Sequence, residues 1–299
     1  MKIHLAEHYG LCFGVRDAIA RAEQLAREGP LTILGELVHN PVVRERLFRQ
    51  GVSEGALNRK ESASTPQVMI TAHGASDRAR GEWRAAGFGV ADGTCPLVKH
   101  AHAQLGALVA LGYWPVVIGK RGHVEVEGLT GDFPNACVVE KAADIEGLPQ
   151  EERFGVISQT TQPLEKVQAL VAAIREARPA AEVRFADTVC QPTKNRQNAL
   201  RKLIAECDTL VVVGGHNSNN TLQLAAAATV AGLSVHHIER PEEIDPSWFT
   251  HGQKVGVTAG TSTLKETVAA VTERLRQIAD ELADGAAPAA ARFTDSPSV

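Results

Sequence analysis

The 299-residue sequence is poor in aromatic residues, which make up only 4% of it, and it has no excess of basic charge. With so few aromatic rings, the core has to be built from Val, Ile, Leu and Ala. Lysine and arginine number 31 against 35 acidic residues, a balance that disfavours a nucleic-acid-binding surface. Apolar residues at 44% and charged residues at 22% are typical of a globular protein and exclude a disordered chain.

The sequence also lacks a long apolar segment. Residues 1–4 lead into a strand-like segment and not into the apolar core of a signal peptide. The longest weakly polar stretch, 222–235, is rich in alanine and too short to span a bilayer. We therefore expect no membrane span and a cytoplasmic location.

The cysteines form no CxxC pair, which excludes the usual zinc-knuckle and thioredoxin motifs. There are five of them, and an odd number cannot form a complete set of disulfides. They are Cys12, Cys95, Cys137, Cys190 and Cys207. In a reducing compartment, cysteines serve packing, metal binding or catalysis.

Short β-branched apolar runs alternate with helical patterns along most of the chain, which predicts an α/β fold with parallel sheets. The predicted strands are 3–6, 31–34, 68–72, 89–91, 116–118, 136–139, 155–157, 183–185, 210–213, 235–238 and 255–257. The predicted helices are 15–27, 41–50, 77–86, 97–111, 164–177, 194–205, 221–231 and 264–282. In such folds, ligands bind beyond the carboxyl ends of the strands.

A faint internal repeat accompanies three of the cysteines. Cys95 and Cys190 each have an Asp three residues before them and a Lys four residues after them. These two and Cys12 all lie between a predicted strand and a predicted helix, about one domain length apart. The repeat predicts three small α/β domains with mostly parallel sheets in a pseudo-threefold arrangement around a shared centre. Their predicted bounds are 13–95, 96–190 and 191–284 plus 1–12, with 285–299 as a disordered tail.

A cysteine at a helix N-terminus has its thiolate stabilised by the helix dipole. Three thiolates from three elements would hold a four-iron cluster and leave one iron without a protein ligand, an open position suited to catalysis. Two alternatives to a metal site stay open. Free cysteines usually serve only as buried packing residues, and a single cysteine could act as a catalytic nucleophile. Cys137 and Cys207 lie in an apolar strand and at a helix end, and we interpret them as packing residues.

Polar loops follow most of the predicted strands. They carry histidines, hydroxyls and amides, and two of them directly precede helices, whose N-termini attract anions. Neither a Walker-type loop nor GxGxxG is present, so a small anionic ligand is favoured over a nucleotide. Each loop alone is equally typical of a surface or capping segment. The pair His123 and Glu125 is a candidate proton source, aimed inward by a turn or an extended segment.

These segments, in this order, resemble the LytB family of 4-hydroxy-3-methylbut-2-enyl diphosphate reductases. The similar segments span residues 10–263 and are GLCFGVRDAI (10–19), LVHNP (37–41), TAHG (71–74), DGTCPLV (92–98), GHVEVEG (122–128), SQTT (158–161), DTVCQPTKNRQ (187–197), GGHNSNNT (214–221) and GVTAGTST (256–263). The resemblance implies three α/β domains around one [4Fe–4S] cluster per chain. Its implied ligands are Cys12, Cys95 and Cys190.

The resemblance also implies roles for the polar residues. The implied catalytic residues are Glu125 as the proton donor, Thr160 as its hydrogen-bond partner, and His123 near the reacting end. The implied substrate-binding residues are His39, His73, His123, Thr160, Ser218, Asn219, Asn220 and Ser262. Asn219 departs from the family, which often has Ser there, so a hydroxyl contact to phosphate is replaced by an amide or lost.

The reaction implied by the resemblance is the last step of the non-mevalonate (MEP) isoprenoid pathway. It removes the hydroxyl of (E)-4-hydroxy-3-methylbut-2-enyl diphosphate to give isopentenyl and dimethylallyl diphosphate. The sequence contains no flavin or NAD motif, so we expect an external electron donor, a ferredoxin or flavodoxin, and a monomer or weak homodimer. The alternatives are a paralogue acting on another allylic diphosphate and a cluster-binding sensor without turnover.

Overall fold

The computed structural model of the protein describes residues 1–38 and 40–286. Within them, strands and helices alternate along the chain, as expected. The strands are β1 Lys2–Leu5, β2 Leu31–Leu34, β3 Val52–Gly55, β4 Gln67–Ile70, β5 Gly89–Asp92, β6 Trp114–Ile118, β7 Cys137–Val139, β8 Arg153–Ser158, β9 Glu182–Phe185, β10 Thr209–Val213, β11 Ser234–Ile238 and β12 Lys254–Ala259. The α-helices are α1 Phe13–Glu28, α2 Pro41–Arg49, α3 Asp77–Ala85, α4 Pro96–Ala110, α5 Val124–Thr130, α6 Leu164–Ala177, α7 Gln191–Glu206, α8 Asn219–Val230 and α9 Lys265–Ala286.

The described strands form three parallel four-stranded sheets with one repeated strand order. The orders are β3-β2-β4-β5, β7-β6-β8-β9 and β11-β10-β12-β1. All pairings within the sheets are parallel. In the third sheet, β1 therefore takes the edge position that β5 and β9 take in the other two. The predicted fold class of three parallel-sheet α/β units is confirmed.

We propose the same three domain bounds for the folded chain. Each of the ranges 13–95, 96–190 and 191–284 plus 1–12 contains one whole sheet. Of the predicted tail, Gly285 and Ala286 belong to α9, whereas 287–299 lie outside the described residues.

The core is aliphatic, as the scarcity of aromatic residues predicts. All five residues of β10, TLVVV, are buried, which is the pattern of a strand covered on both faces. Helix α1 buries Ala18, Ile19, Ala22 and Leu25, the spacing of one helical face. Apolar clusters lie on both sides of each sheet. Each unit thus has its own two-sided core, and its loops are free to project from the sheet edge.

The sequence does not predict one of the strands and one of the helices. Strand β3 has the sequence VSEG, in which only Val52 is buried, so its apolar signal is a single residue at a sheet edge. Helix α5 has only seven residues, too few for a clear helical period. The sequence predicts a turn or an extended segment at His123 and Glu125; His123 is extended, whereas Glu125 lies in the first turn of α5. None of the helices in the described ranges is both long and apolar enough to cross a bilayer.

Substitutions at two glycines, one in the loop before Cys95 and one on helix α3, test how closely that loop is packed. A Cβ atom at Gly93 would lie 2.5 Å from the Ile70 carbonyl oxygen, whereas one at Gly81, on exposed α3, would meet no atom within 4 Å. We expect Gly93→Ala to lower the free energy of unfolding by about 1–3 kcal/mol, the usual cost of overpacking. Gly81→Ala should raise it by about 0.5–1 kcal/mol because Ala favours a helix. Chemical denaturation measures both, and equal effects would contradict this packing.

Candidate active site

Each of the three repeated cysteines is the N-cap residue of a helix. Cys12 precedes α1, Cys95 precedes α4, and Cys190 precedes α7. Since β1, β5 and β9 are the equivalent edge strands of their sheets, each cysteine follows the same strand in its unit. The predicted strand–cysteine–helix repeat is therefore present in the fold.

The Asp and Lys of the repeat form ion pairs that fix two of these turns. Asp92 Oδ2 lies 2.8 Å from Lys99 Nζ, and Asp187 Oδ2 lies 2.7 Å from Lys194 Nζ. The second carboxylate oxygen of each Asp accepts a backbone N–H two residues later, at Thr94 and at Val189. The repeated charges thus hold the backbone that presents Cys95 and Cys190.

Backbone hydrogen bonds connect each cysteine to a neighbouring loop that carries predicted site residues. The N–H of Cys12 donates to the Thr261 carbonyl (3.3 Å). The N–H of Cys95 donates to the Ala72 carbonyl, and that of Cys190 to the Thr160 carbonyl, both at 3.0 Å. These three acceptors follow β12, β4 and β8, which occupy the same position in their sheets. The candidate metal ligands and the polar loops are therefore parts of one repeated arrangement.

The helix that follows Cys12 lies against Cys95. A Cβ atom at Gly14, in the first turn of α1, would overlap the Cys95 sulfur, so this helix packs directly against that side chain. Burial raises the pKa of the Cys95 thiol, opposed by the N–H groups of Leu97 and Val98, and the charge of Cys12 raises it further. Burial likewise raises the pKa of Cys190, whose Sγ lies 3.1 Å from the Thr193 hydroxyl. A bound metal would displace these thiol protons.

The three cysteine sulfurs do not form the tight group that a single metal ion needs. In the described part of the chain, the one group with three ligand atoms within 4.8 Å of one another is Asp77, His102 and Asp132. At least two of the three cysteine sulfurs thus lie farther apart than two ligands of one zinc, which are at most about 4.6 Å apart because each Zn–S bond is about 2.3 Å. Thiolates are soft donors, which both zinc and iron–sulfur clusters accept. In the group of Asp77, His102 and Asp132, the Asp132 carboxylate caps helix α3 by accepting the backbone N–H groups of Asp77 and Arg78.

The other two cysteines take no part in this arrangement. Cys207 is buried in an apolar cluster under the third sheet. Cys137 lies in β7, where its sulfur accepts a hydrogen bond from the Trp114 indole at 3.4 Å. Their packing environments agree with the interpretation made from the sequence.

Glu125 is a buried carboxylic acid beside the cysteines. It lies in the first turn of α5, is 1% exposed, and its Oε1 accepts the Thr160 backbone N–H at 2.6 Å. Burial raises the pKa of Glu125 to about 7, although the hydrogen bonds from Thr160 oppose that shift. The charge of Glu125 in turn raises the pKa of Cys95 and of Cys190. A carboxyl group with a pKa near neutrality can give up or take a proton during a reaction.

His123 is the N-cap of α5, so its side chain and that of Glu125 are oriented by the same helix start. Its Nδ1 accepts the Glu125 backbone N–H at 3.1 Å. The ring meets that of His73 edge to face, with centroids 5.4 Å apart. The short helix that the sequence did not reveal therefore positions both predicted residues of this pair.

Most of the predicted substrate-binding residues line one narrow cavity of about 40 Å³. The predicted residues in its wall are His73, His123, Ser218, Asn219, Asn220 and Ser262. Thr160 is not part of this wall, but its neighbour Thr161 is. His39 lies outside the described residues, although the adjacent Leu37 and Val38 line the cavity.

Hydrogen bonds across the cavity join its loops, one of them between the second and third units and one within the third unit. Asn219 Nδ2 donates to Thr161 Oγ1 at 3.3 Å. The Thr261 N–H donates to Asn220 Oδ1 at 3.1 Å. Ser262 Oγ is buried, and no hydrogen-bond partner for it lies within the described ranges, so it is available to a ligand. Thr161 and Thr261 belong to quoted motifs, but the sequence alone did not assign the Thr161 hydroxyl or the Thr261 N–H a role in the site.

Larger clefts exist elsewhere on the molecule. One of about 490 Å³ includes His73 and the basic side chains of Arg80, Arg84 and Lys99, and another of about 550 Å³ surrounds Phe48. We assign the candidate site to the narrow cavity, because polar side chains from three units converge there beside Glu125. Volume alone does not identify a reactive site.

The chain is similar to known proteins over most of its length. A family model described as LytB protein matches residues 3–276. A relative from Aquifex aeolicus (strain VF5) is 36% identical over 287 residues, covering 93% of this chain and 97% of the relative. One from Citrifermentans bemidjiense is 38% identical over 280 residues, covering 93% and 98%. Both are named 4-hydroxy-3-methylbut-2-enyl diphosphate reductase.

Solved structures agree with these relatives. The E-1-hydroxy-2-methyl-but-2-enyl-4-diphosphate reductase from Plasmodium falciparum superposes with a TM-score of 0.84 at 24% identity, covering 91% of this chain and 87% of that one. An (E)-4-hydroxy-3-methyl-but-2-enyl diphosphate reductase, described as the terminal enzyme of the non-mevalonate pathway, gives a TM-score of 0.67 at 34% identity, covering 93% and 100%. The match of the LytB family model and of these full-length relatives means that the chain belongs to the LytB family.

Proposed function

We propose that the protein reductively removes the hydroxyl of (E)-4-hydroxy-3-methylbut-2-enyl diphosphate, as the last enzyme of the non-mevalonate isoprenoid pathway. In the overall reaction the allylic C–O bond breaks, two electrons and two protons enter, and water leaves. The products are isopentenyl and dimethylallyl diphosphate. Membership of the LytB family and the names of the full-length relatives support this substrate.

The observation that carries the proposal is the position of Glu125 among the cysteines. Two of the three thiols, those of Cys95 and Cys190, interact with the charge of this carboxyl group, which is 1% exposed and has a pKa of about 7. A cluster-binding sensor needs the thiols but not an acid of this kind beside them. A paralogue would share the thiols, and the retained contact between Glu125 and Thr160 favours the family's own reaction over it.

Cys12, Cys95 and Cys190 are the proposed ligands of one [4Fe–4S] cluster per chain. When bound, such a cluster supplies electrons one at a time and a Lewis-acidic iron without a protein ligand. Three features support this group: at least two of the sulfurs lie more than 4.8 Å apart, each cysteine is a helix N-cap, and all three thiols are free. These ligands come from all three units, so the metal site depends on the complete fold.

The proposed diphosphate site is the narrow polar cavity. Its neutral donors and the N-terminus of α8 attract phosphate oxygens without adding a buried positive charge. The proposed contacts are His39, His73, His123, Thr160, Ser218, Asn219, Asn220 and Ser262. Binding energy from this remote group orients the allylic alcohol against the reacting residues.

The proposed proton transfer belongs to Glu125. Burial keeps its carboxyl protonated up to about neutral pH, so it can donate to the departing hydroxyl. The Thr160 N–H donates to Oε1 at 2.6 Å and orients the acid, and it stabilises the carboxylate left after donation. His123 caps the same helix and aligns the acid with the diphosphate cavity.

The remaining parts of the proposal concern the surroundings of the enzyme. Electrons come from a separate one-electron carrier, a ferredoxin or flavodoxin, because the sequence has no flavin or nicotinamide motif of its own. We propose a cytoplasmic enzyme that acts as a monomer or weak homodimer.

Anaerobic turnover tests the proposal directly. Protein reconstituted with iron and sulfide is mixed with the hydroxylated allylic diphosphate and a reduced one-electron dye. Oxidation of the dye with formation of both isomeric diphosphates is expected. A cluster-loaded protein that binds the substrate without consuming dye would favour the sensor alternative.

Serine substitutions test the metal ligands. Cys12→Ser, Cys95→Ser and Cys190→Ser should each sharply reduce iron and sulfide content, because serine replaces a soft thiolate by a poor ligand for iron. Cys137→Ser and Cys207→Ser are matched controls that should retain the cluster. Iron and sulfide analysis after identical reconstitution gives the comparison, and five equal results would refute the assignment.

Glu125→Gln tests the acid. The amide keeps the shape of the side chain but cannot donate a carboxylic proton, so turnover should fall about 10²–10⁴-fold, with iron content and substrate affinity retained. Glu127→Gln changes an exposed carboxylate of the same helix and should keep full activity. Steady-state kinetics separate the two variants, and undiminished turnover of Glu125→Gln would remove this residue as the proton donor.

The pH dependence follows from the same acid. Glu125 has to be protonated to donate, and burial raises its pKa to about 7, so kcat/KM should be level below that pH. Above it, kcat/KM should fall about tenfold for each pH unit. The profile from pH 5.5 to 9 is recorded with iron content checked at each pH. A flat profile with constant iron content would contradict protonation of Glu125 as the limiting condition.

A further inference from the structure

Arg196 is a buried cation with no carboxylate partner. It lies in α7, six residues after Cys190, and is 5% exposed. In the described part of the chain, no carboxylate oxygen forms an ion pair with its guanidinium. A buried charge is costly unless an opposite charge or several hydrogen bonds compensate it.

The guanidinium bonds to two backbone carbonyls that flank proposed metal ligands. Nη1 donates to the Pro192 carbonyl at 2.8 Å, and Nη2 donates to the Gly10 carbonyl. Pro192 lies two residues after Cys190, and Gly10 lies two residues before Cys12. One planar side chain therefore ties the Cys12 loop to the helix that begins at Cys190.

Thiolates at Cys12 and Cys190, on the two segments that Arg196 joins, would compensate its charge. Burial lowers the pKa of the Arg196 guanidinium, and the charges of Cys12 and Cys190 oppose that shift. Nε is buried and has no hydrogen-bond acceptor within the described residues. Because an arginine stays protonated throughout the working pH range, this side chain is a permanent positive charge beside two proposed cluster thiolates.

We propose that Arg196 is a positioning residue that holds Cys12 and Cys190 at the spacing of a cluster and raises the cluster's reduction potential. The inference rests on the proposed function, which supplies the cluster. Reduction adds one negative charge at the metal site, and a fixed positive charge nearby in a medium of low dielectric constant favours that state.

Arg196 lies outside the wall of the proposed substrate cavity. It lines an open cleft of about 440 Å³ together with Cys12, Phe13 and Lys265. None of the residues identified in the wall of this cleft belongs to the wall of the narrow polar cavity. Replacing Arg196 should therefore alter the metal site and leave the affinity for the diphosphate substrate unchanged.

The test compares Arg196→Gln and Arg196→Lys with the parent protein after anaerobic reconstitution. The matched control is Arg201→Gln, which removes an exposed arginine of the same helix that pairs with Glu165. Iron and sulfide content report the positioning role. An EPR-monitored redox titration reports the midpoint potential, which a merely structural role would leave in place.

The proposal predicts a different result for each variant. Arg196→Gln should contain less iron, and its midpoint potential should become more negative by at least a tenfold change in the reduction equilibrium, which is about 59 mV for one electron. Arg196→Lys keeps the charge and loses the planar fork, so its potential should stay near that of the parent while its iron content falls. Arg201→Gln should match the parent in both.

An unchanged potential in Arg196→Gln would overturn the proposal. If that variant does not fold, Arg196→Lys decides: a parent-like potential with reduced iron supports the proposal, and parent-like iron content overturns it. Failure of the proposed function gives a separate result, because the parent protein itself would then hold no cluster or would not turn over substrate.

Discussion

The backbone hydrogen bonds from Cys12, Cys95 and Cys190 to the carbonyls beside them are the constraint on which the rest of the site depends. Each bond joins the loop after an edge strand to the loop after its inner neighbour. The first loop carries a cysteine and starts a helix, whereas the second carries polar groups of the candidate site. Because the three sheets share one strand order, this junction occurs three times and its three cysteines converge.

The convergence creates an electrostatic problem that the buried residues solve together. Two thiols and Glu125 lie in surroundings that disfavour negative charge, because burial raises the pKa of Glu125, Cys95 and Cys190. In the proposed reaction, metal binding would release the thiol protons, whereas Glu125 would keep its proton for the substrate. Arg196 is the buried group of opposite charge next to this set. Its two carbonyl contacts also connect separate segments, so charge balance and ligand spacing involve the same side chain.

The parts of the fold that depend on repeated local patterns could be predicted from the sequence. Buried strands such as β10 are continuous apolar runs, and the Asp and Lys around Cys95 and Cys190 marked two equivalent turns. Strand β3 and helix α5 could not be found in this way, because one has a single buried residue and the other has seven residues in all. Their conformations depend on neighbours that are distant in the sequence.

In the candidate site, too, some features could be predicted from the sequence and others could not. The motifs named its residue types, and the structure brings six of the predicted cavity residues together, but neither the burial of Glu125 nor the carbonyl contacts of Arg196 has a sequence signature. Mössbauer spectroscopy of the ⁵⁷Fe-reconstituted protein tests the central claim most directly, since three thiolates cannot serve four irons equally. Titration with the diphosphate substrate should change the signal of one iron site and leave the other three alike. Four equivalent irons that do not respond to substrate, or a single iron per chain, would contradict the account.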